Sequence, residues 1–334
     1  MKCFLPFTGQ DPRFSRDVAA YLASRGVESI LNPERGAPTE EQLAHLLRDA
    51  DGALAGTERY TGQVMDSAPR LKIISRVGVG YDSVDVKAAT ERGVLVTIAA
   101  VPELAEGMAE HTFALILTFM KQIPYMDADL RSGNWRPYHW GGEVRDLYGL
   151  TLGLLGVGRI GGEVAKRARA FRMRVIYYDI VRREDLEQSL GMEPVTLDDL
   201  LAESDVLSIH SPLTPQTKNL INENALAKMK KSALLVNTAR GAIVDETALM
   251  RALMEGRLAG ACLDTFSEEP LSASHPFYSL KDRLPNLIMT PHTGYGVRTG
   301  SAMVHQAAKQ VADTLEGGVP ENLLNPEALA RRRV

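Results

Sequence analysis

The chain has 334 residues, 45% of them hydrophobic and 24% charged, with a formal net charge of -4. This is the composition of a globular protein of one large domain or two ordinary ones, and the mildly acidic balance argues against a nucleic-acid binder or a membrane-surface protein. Two distant cysteines, Cys3 and Cys262, supply neither a disulfide framework nor a metal-ligand spacing, so no metal is expected and a reducing cytoplasm fits.

The N-terminus MKCFLPFTGQDPRF has too short an apolar run for a signal peptide, and no stretch reaches membrane-span length. KCFLPF (2–7) reads as a strand. FSRDVAAYLASRG (14–26) has helical spacing, with Val18, Tyr21 and Leu22 on one face and a glycine stop. TEEQLAHLLRDA (39–50) carries a capping box, Thr39 with Gln42. GALAG (52–56), KIISRVG (72–78) and VLVTI (94–98) are further short apolar runs. Strands spaced by helices imply a parallel sheet with right-handed crossovers.

A long apolar helix is expected over 104–123, closed or kinked by Pro124. RSGNWRPYHWGGEVRDLYG (131–149) shows neither period and reads as a long loop holding both tryptophans, Trp135 and Trp140. The strand–helix rhythm then restarts through TLGLLG, RVIYYD, DVLSIH, ALLVN, LAGACLD and NLIMTPH. It ends in an amphipathic helix from about Thr299 to Leu315. Two such rhythms suggest two α/β domains.

LGLLGVGRIGGEVAKRARAF (152–171) places Gly156, Gly158 and Gly161 in GxGxxG spacing, with Arg159 and Ile160 between the last two. An apolar strand precedes it and a helix follows. The first glycine permits a tight turn, the second lets the backbone approach a pyrophosphate, and the third allows close helix–strand packing at a helix N-terminus. The next strand ends in Asp179, where a carboxylate accepts from ribose hydroxyls and repels a 2′-phosphate. NAD is therefore expected over NADP, although Arg182 and Arg183 follow closely.

LLVNTARGAIVDE (234–246) ends a buried strand in Arg240, whose guanidinium fork matches a carboxylate. A structural ion pair with Asp245 or Glu246 is the plain alternative. CLDTFSEEPL (262–271) puts Asp264, Glu268 and Glu269 after another strand, and LIMTPHTGYG (287–296) puts His292 after a third. Arg, Glu and His thus each follow a separate strand of one series, and such ends can converge on one cleft.

The combination resembles the D-2-hydroxyacid dehydrogenase family along nearly the whole chain. The matching pieces are RVGVGYDSVD (76–85), GVGRIGGEVA (156–165), HSPLTPQTKNLIN (210–222), NTARGAIVDE (237–246), LDTFSEEP (263–270) and TPHTG (290–294). The likeness is to 3-phosphoglycerate dehydrogenase-like members, with glyoxylate/hydroxypyruvate reductases near behind. It implies a catalytic trio of Arg240, Glu269 (not Glu268) and His292. It implies nicotinamide contacts at Asp264 and Gly294, and adenosine contacts at Asp179 and the His210–Ser211–Pro212 turn. Thr238 and Ala239 would flank the nicotinamide ribose. A substrate-carboxylate loop falls on Val77, Gly78, Val79 and Gly80.

On that resemblance Arg240 binds the carboxylate and 2-oxygen of a D-2-hydroxy acid or its 2-oxo acid. His292 takes the hydroxyl proton as hydride passes to the cofactor, and Glu269 fixes the imidazole tautomer and raises its pKa. The implied architecture is two Rossmann-like or flavodoxin-like doubly wound α/β domains. A discontinuous substrate domain (1–101 and 292–334) holds an inserted NAD domain (102–291). The Trp135–Trp140 loop matches the family's dimer contact, so a cytoplasmic homodimer is expected. Because the chain stops at 334, a serine-binding regulatory extension is not expected. Arg59 is near, but out of register with, the position of a phosphate-binding arginine. Val79 stands where phosphite-oxidising relatives carry lysine. Tyr295 replaces a commoner small residue. Two alternatives remain: an NAD-sensing corepressor-like binding protein of this fold, and an NADP-preferring 2-oxo acid reductase.

Overall fold

The computed structural model describes residues 1–6, 12–33, 36–135, 144–279 and 286–333, with the side chains of 12–15 and 279 excepted. Its strands, in chain order, are β1 (Lys2–Leu5), β2 (Glu28–Leu31), β3 (Gly52–Ala55), β4 (Ile73–Arg76), β5 (Leu95–Ile98), β6 (Thr151–Leu155), β7 (Arg174–Tyr178), β8 (Glu193–Pro194), β9 (Val206–Ile209), β10 (Leu234–Asn237), β11 (Gly260–Leu263) and β12 (Leu287–Met289). The chain divides into two compact units, Met1–Leu104 with Gly296–Val334, and Ala105–Tyr295. Those joins lie beyond 101/102 and 291/292, so His292 goes with the second unit rather than opening the return segment of the first.

The first unit is a five-stranded parallel sheet in the order β2-β1-β3-β4-β5. Phe4, Leu47, Val64, Ile74 and Val96 belong to one continuous core between sheet and helices. The helix Glu40–Leu47 opens with the expected reciprocal cap. Gln42 N–H donates to Thr39 Oγ1 at 3.3 Å, and Thr39 N–H donates to Gln42 Oε1 at 2.8 Å; a cap of this kind stabilises by about 1 kcal/mol.

The returning helix Val297–Leu315 packs on β3 and β4. Its Val311 comes so near the sheet that a Cβ on Gly52 would stand 2.7 Å from Cγ1. Buried Gln310 anchors it. Its Oε1 accepts from Ser75 Oγ (2.8 Å) and Thr97 Oγ1 (2.9 Å), and its Nε2 donates to the carbonyls of Ile98 and Glu321 (3.0 Å each). Asn325 adds a second anchor, accepting from Val96 N–H at 2.8 Å and donating to Val94 O at 2.9 Å.

The second unit is a seven-stranded parallel sheet in the order β12-β11-β10-β9-β6-β7-β8. Central strands such as LLVN and GACL are buried at every residue, as expected of a parallel sheet covered on both faces. One core holds Leu155, Ile209, Leu235, Ile243 and Leu263; the other holds Phe113, Leu154, Val164, Val236 and Cys262. The chain order reverses between β6 and β9, and ligands bind outside the strand ends at such a switch point.

Sequence expectation and structure differ in several places. The helix predicted over 104–123 is Pro102–Met120, and a second helix, Ile123–Arg131, starts beyond the left-handed Gln122 with Pro124 in its first turn. Proline lacks an N–H, which a first turn does not need, so Pro124 begins a helix rather than only ending one. The two-residue β8 of this unit was not anticipated, and in the first unit neither was β2, whose residues are all at least partly exposed. Of the loop 131–149, Tyr138 and Trp140 lie outside the described residues, while Trp135 is 78% exposed. Among the described residues no helix is long and apolar enough to cross a membrane, and no cluster of metal-ligating side chains is found.

Candidate active site

All seven strands of the second unit run parallel, so the residues following them lie along one edge of the sheet. In sheet order these are His292 after β12, Asp264 and Glu269 after β11, Thr238 to Arg240 after β10, His210 after β9, Gly156 after β6 and Asp179 after β7. With neighbouring strands about 4.8 Å apart, β11 and β7 are separated by roughly 19 Å.

Arg240 is presented by a corner that Asn237 holds from below. The buried Asn237 side chain accepts from Ala239 N–H (3.0 Å) and donates to the Arg240 carbonyl (2.8 Å). Arg240 Nη1 donates to the Ala239 carbonyl at 2.7 Å. Asp245 and Glu246 are engaged elsewhere: Asp245 caps the helix Glu246–Met254 through Ala248 N–H at 3.0 Å, and Glu246 accepts from Ser267 N–H at 2.7 Å. The next residue, Gly241, lies against the following loop, where a Cβ would be 2.0 Å from the Phe266 carbonyl carbon. The Arg240 corner and the Glu269 loop are therefore in contact.

Glu269 uses both oxygens. Oε1 accepts from Phe266 N–H at 2.8 Å, and Oε2 stands 2.6 Å from His292 Nδ1. His292 sits at φ 52 in the left-handed region, its N–H donating to the Asp264 carbonyl at 2.8 Å. A non-glycine residue held there is uncommon, and here backbone and side chain are both tethered.

Asp264 is fully buried. Oδ1 accepts from Thr290 Oγ1 (2.6 Å) and Thr293 N–H (3.0 Å), and His111 Nε2 lies 3.3 Å away. Burial works against its charge, but the bonds from His111, Thr290 and Thr293 prevail and hold its carboxyl below the usual range. Oδ2 has no hydrogen-bond partner among the described residues. A Cβ on Gly294 would come within 3.0 Å of that oxygen and 2.7 Å of Met108 Sδ. Neither His111 nor Asn237 was anticipated. The single histidine of the long, largely apolar helix was the available signal for the first.

The glycine-rich turn has the required geometry. Gly156 is at φ 92, and a Cβ on Gly161 would be 2.5 Å from the Gly156 carbonyl oxygen. Gly158, the cap of the helix Arg159–Ala170, would point a Cβ into open space and makes no side-chain cap bond. Asp179 reaches back to this turn, Oδ2 accepting from Val157 N–H at 2.7 Å, while Oδ1 accepts from Val181 N–H at 3.0 Å. Each oxygen retains acceptor capacity. His210 contacts Ser208 Oγ through Nε2 at 2.9 Å, and burial pushes its imidazole down to about 4. Buried Thr238 touches Thr112, Oγ1 to Oγ1, at 3.3 Å. Ser211 backbone lies 2.7 Å from where a Gly156 Cβ would be. An open helix cap, a carboxylate beside the glycine-rich turn with acceptor capacity to spare, and a buried carboxylate oxygen with no hydrogen-bond partner among the described residues suit a pyridine dinucleotide.

Val77 to Gly80 belong to the first unit. The Val77 carbonyl accepts from Arg76 Nη1, and the Gly78 carbonyl from Ala99 N–H at 3.1 Å. Among the described residues no acceptor takes the N–H groups of Gly78, Val79 or Gly80.

Residues 113–294 match the family model for the NAD-binding domain of D-isomer specific 2-hydroxyacid dehydrogenases. A glyoxylate reductase of Korarchaeum cryptofilum is 39% identical over 327 residues, covering 94% of this chain and 97% of the relative. One from Thermofilum pendens is 42% identical over 302 residues, covering 88% and 87%. The D-lactate dehydrogenase of Aquifex aeolicus, solved with NAD and lactic acid, superposes with a TM-score of 0.82 at 31% identity, covering 99% of this chain and 98% of that one. The cofactor is NAD, and the chain belongs to the D-isomer-specific 2-hydroxyacid dehydrogenases, NAD-dependent oxidoreductases of 2-hydroxy acids.

Proposed function

We propose that the protein interconverts a small D-2-hydroxy acid and its 2-oxo acid, glyoxylate and hydroxypyruvate being the first candidates, with Arg240, Glu269 and His292 as the catalytic groups. The observation that carries this reading is the 2.6 Å contact between Glu269 Oε2 and His292 Nδ1. A carboxylate there favours the tautomer with the proton on Nδ1 and leaves Nε2 to exchange a proton with the substrate oxygen. Arg240 offers its fork to the substrate carboxylate and steadies charge on the 2-oxygen. In the first unit, Val77 to Gly80, with the N–H groups of Gly78 to Gly80 as donors, are the candidate substrate-carboxylate loop.

When bound, NAD supplies the hydride acceptor, and NADH the donor. The residues that would hold it are the Gly156–Gly161 turn with Arg159 and Ile160, Asp179, His210 to Pro212, Thr238, Ala239, Asp264 and Gly294. Asp264 Oδ2 is the acceptor for a carboxamide N–H, and His111 keeps that carboxylate charged. We also read Ile123, Leu130 and Trp135, each more than half exposed, as part of a homodimer contact of a cytoplasmic enzyme. Two of the similar proteins are glyoxylate reductases and the third is a D-lactate dehydrogenase, which supports the choice of small 2-oxo acids.

The test is NADH oxidation across glyoxylate, hydroxypyruvate, 3-phosphohydroxypyruvate, pyruvate, phenylpyruvate and 2-oxoglutarate. Turnover on a small 2-oxo acid, reduced about 10²–10⁴-fold by His292→Ala with NADH binding intact, is the expected result. Turnover undiminished in His292→Ala would refute the assignment of the proton to this residue.

A further inference from the structure

The segment after β7 carries two arginines where a phosphate-binding site would need them, and both are engaged by carboxylates. Arg182 donates from Nε (3.0 Å) and Nη2 (2.9 Å) to Glu187, which is itself tied by Tyr177 Oη–H at 2.6 Å. Arg183 donates from Nε (2.9 Å) and Nη2 (2.8 Å) to the two oxygens of Asp185. The two pairs differ in support. Glu187 is only 15% exposed and shares a second donor, whereas Asp185 is 63% exposed.

Position distinguishes Arg183 further. Its Nη1 donates to the carbonyl of Val157, whose N–H is bound by Asp179. Its own N–H donates to Tyr177 Oη at 2.9 Å, and Tyr177 is buried. One residue of the glycine-rich turn is thus gripped by a carboxylate on its N–H and by a guanidinium on its C=O. The guanidinium that would answer a 2′-phosphate already stands beside the carboxylate that would repel it.

We propose that Asp185 is a cofactor-specificity residue: by filling the fork of Arg183 it withholds that guanidinium from a 2′-phosphate, and so reinforces Asp179 in favouring NAD over NADP. The proposal rests on the placement of the adenosine ribose at Asp179 given above. Asp179, Glu184, Asp185 and Glu187 outweigh Arg182 and Arg183 by two negative charges. A 2′-phosphate brings nearly two more into that surplus. Neutralising Asp185 halves the surplus and frees a planar fork suited to a phosphate. NADH has no group at this point for the fork to recognise, so its affinity is insensitive to the change.

The test is titration of NADH and NADPH into the full-length protein, followed by cofactor fluorescence at fixed ionic strength. Wild type is compared with Asp185→Asn, Asp179→Asn and the double variant Asp185→Asn/Arg183→Ala. Asp185→Asn is expected to tighten NADPH about fivefold, the scale of one exposed charge pair, and to move NADH by less than about twofold. Arg183→Ala in that background is expected to abolish the gain. Unchanged NADPH affinity in Asp185→Asn, or a gain that persists without Arg183, overturns the proposal. Asp179→Asn separates the two levels. If it weakens NADH while Asp185→Asn does nothing, only the proposal falls; if it leaves both cofactors unaffected, the ribose placement falls and the proposal with it.

Discussion

Glu269 and His292 are 23 residues apart in the chain and share a contact of 2.6 Å, so no local period discloses their pairing. The resemblance named both residues. Their contact needed β11 and β12 to be neighbours in the sheet, which is a tertiary fact. His111 shows the opposite limit. It lies in a helix whose apolar run was legible, yet its role depends on reaching Asp264, 153 positions further on. His210 supports a prediction at this scale. Burial lowers its folded pKa from 6.5 to about 4. Above pH 6.5 neither folded nor unfolded chain is protonated there, and no penalty arises. Between 6.5 and about 4 the unfolded chain takes up a proton that the folded chain refuses, so stability falls as the pH falls. Replacing His210 with glutamine is expected to flatten this part of the curve by about 1–3 kcal/mol. Urea melts at pH 7.5 and 4.5 would check it, and equal pH slopes in both proteins would rule out His210 as the source.

At the scale of elements, the strands were legible wherever four or five consecutive apolar residues met a glycine or an acid. The GxGxxG turn was legible because strand and helix flank it. Less was visible where an element is short or exposed. Glu193–Pro194 is too brief to show a period, and Ile123–Arg131 has no buried residue to give it an apolar face. The polar anchors of the last helix were also hidden, since Gln310 looks like any exposed glutamine on an amphipathic helix. Its Oε1 serves Ser75 and Thr97 together. Substitution by methionine keeps most of the volume but strands two buried hydroxyls. A loss of about 2–4 kcal/mol is expected, from roughly 1–2 for each unsatisfied group. Chemical denaturation of Gln310→Met measures it, and a loss below about 0.5 kcal/mol would show that the hydroxyls find other partners.

For the whole molecule, composition and the two strand–helix rhythms pointed to two α/β units, and the chain forms a five-stranded and a seven-stranded parallel sheet. The joins could not be read to the residue, because the helix Pro102–Met120 runs through one of them without a break. The first unit takes its strands from the start of the chain and its helix Val297–Leu315 from near the end, with Ala105–Tyr295 lying between in sequence. That interleaving sets a prediction for ribosome-stalled chains with residues 1–295 exposed. Ala105–Tyr295 should resist limited proteolysis while β1 to β5 are cut. Equal protection of both would show that the small sheet needs no returning helix.

The same interleaving gives the protein a timetable. During synthesis the first hundred residues leave the ribosome early and must wait for Gln310 and Asn325 before β4 and β5 acquire their buried partners. At ~5–20 residues per second that wait lasts roughly 10–40 s. The inserted unit is continuous and can finish first, so the later-made part of the protein becomes native before the earlier-made part. The uncovered face of the small sheet is then the nascent chain's most exposed liability, and the stage at which a chaperone would have the longest time to act.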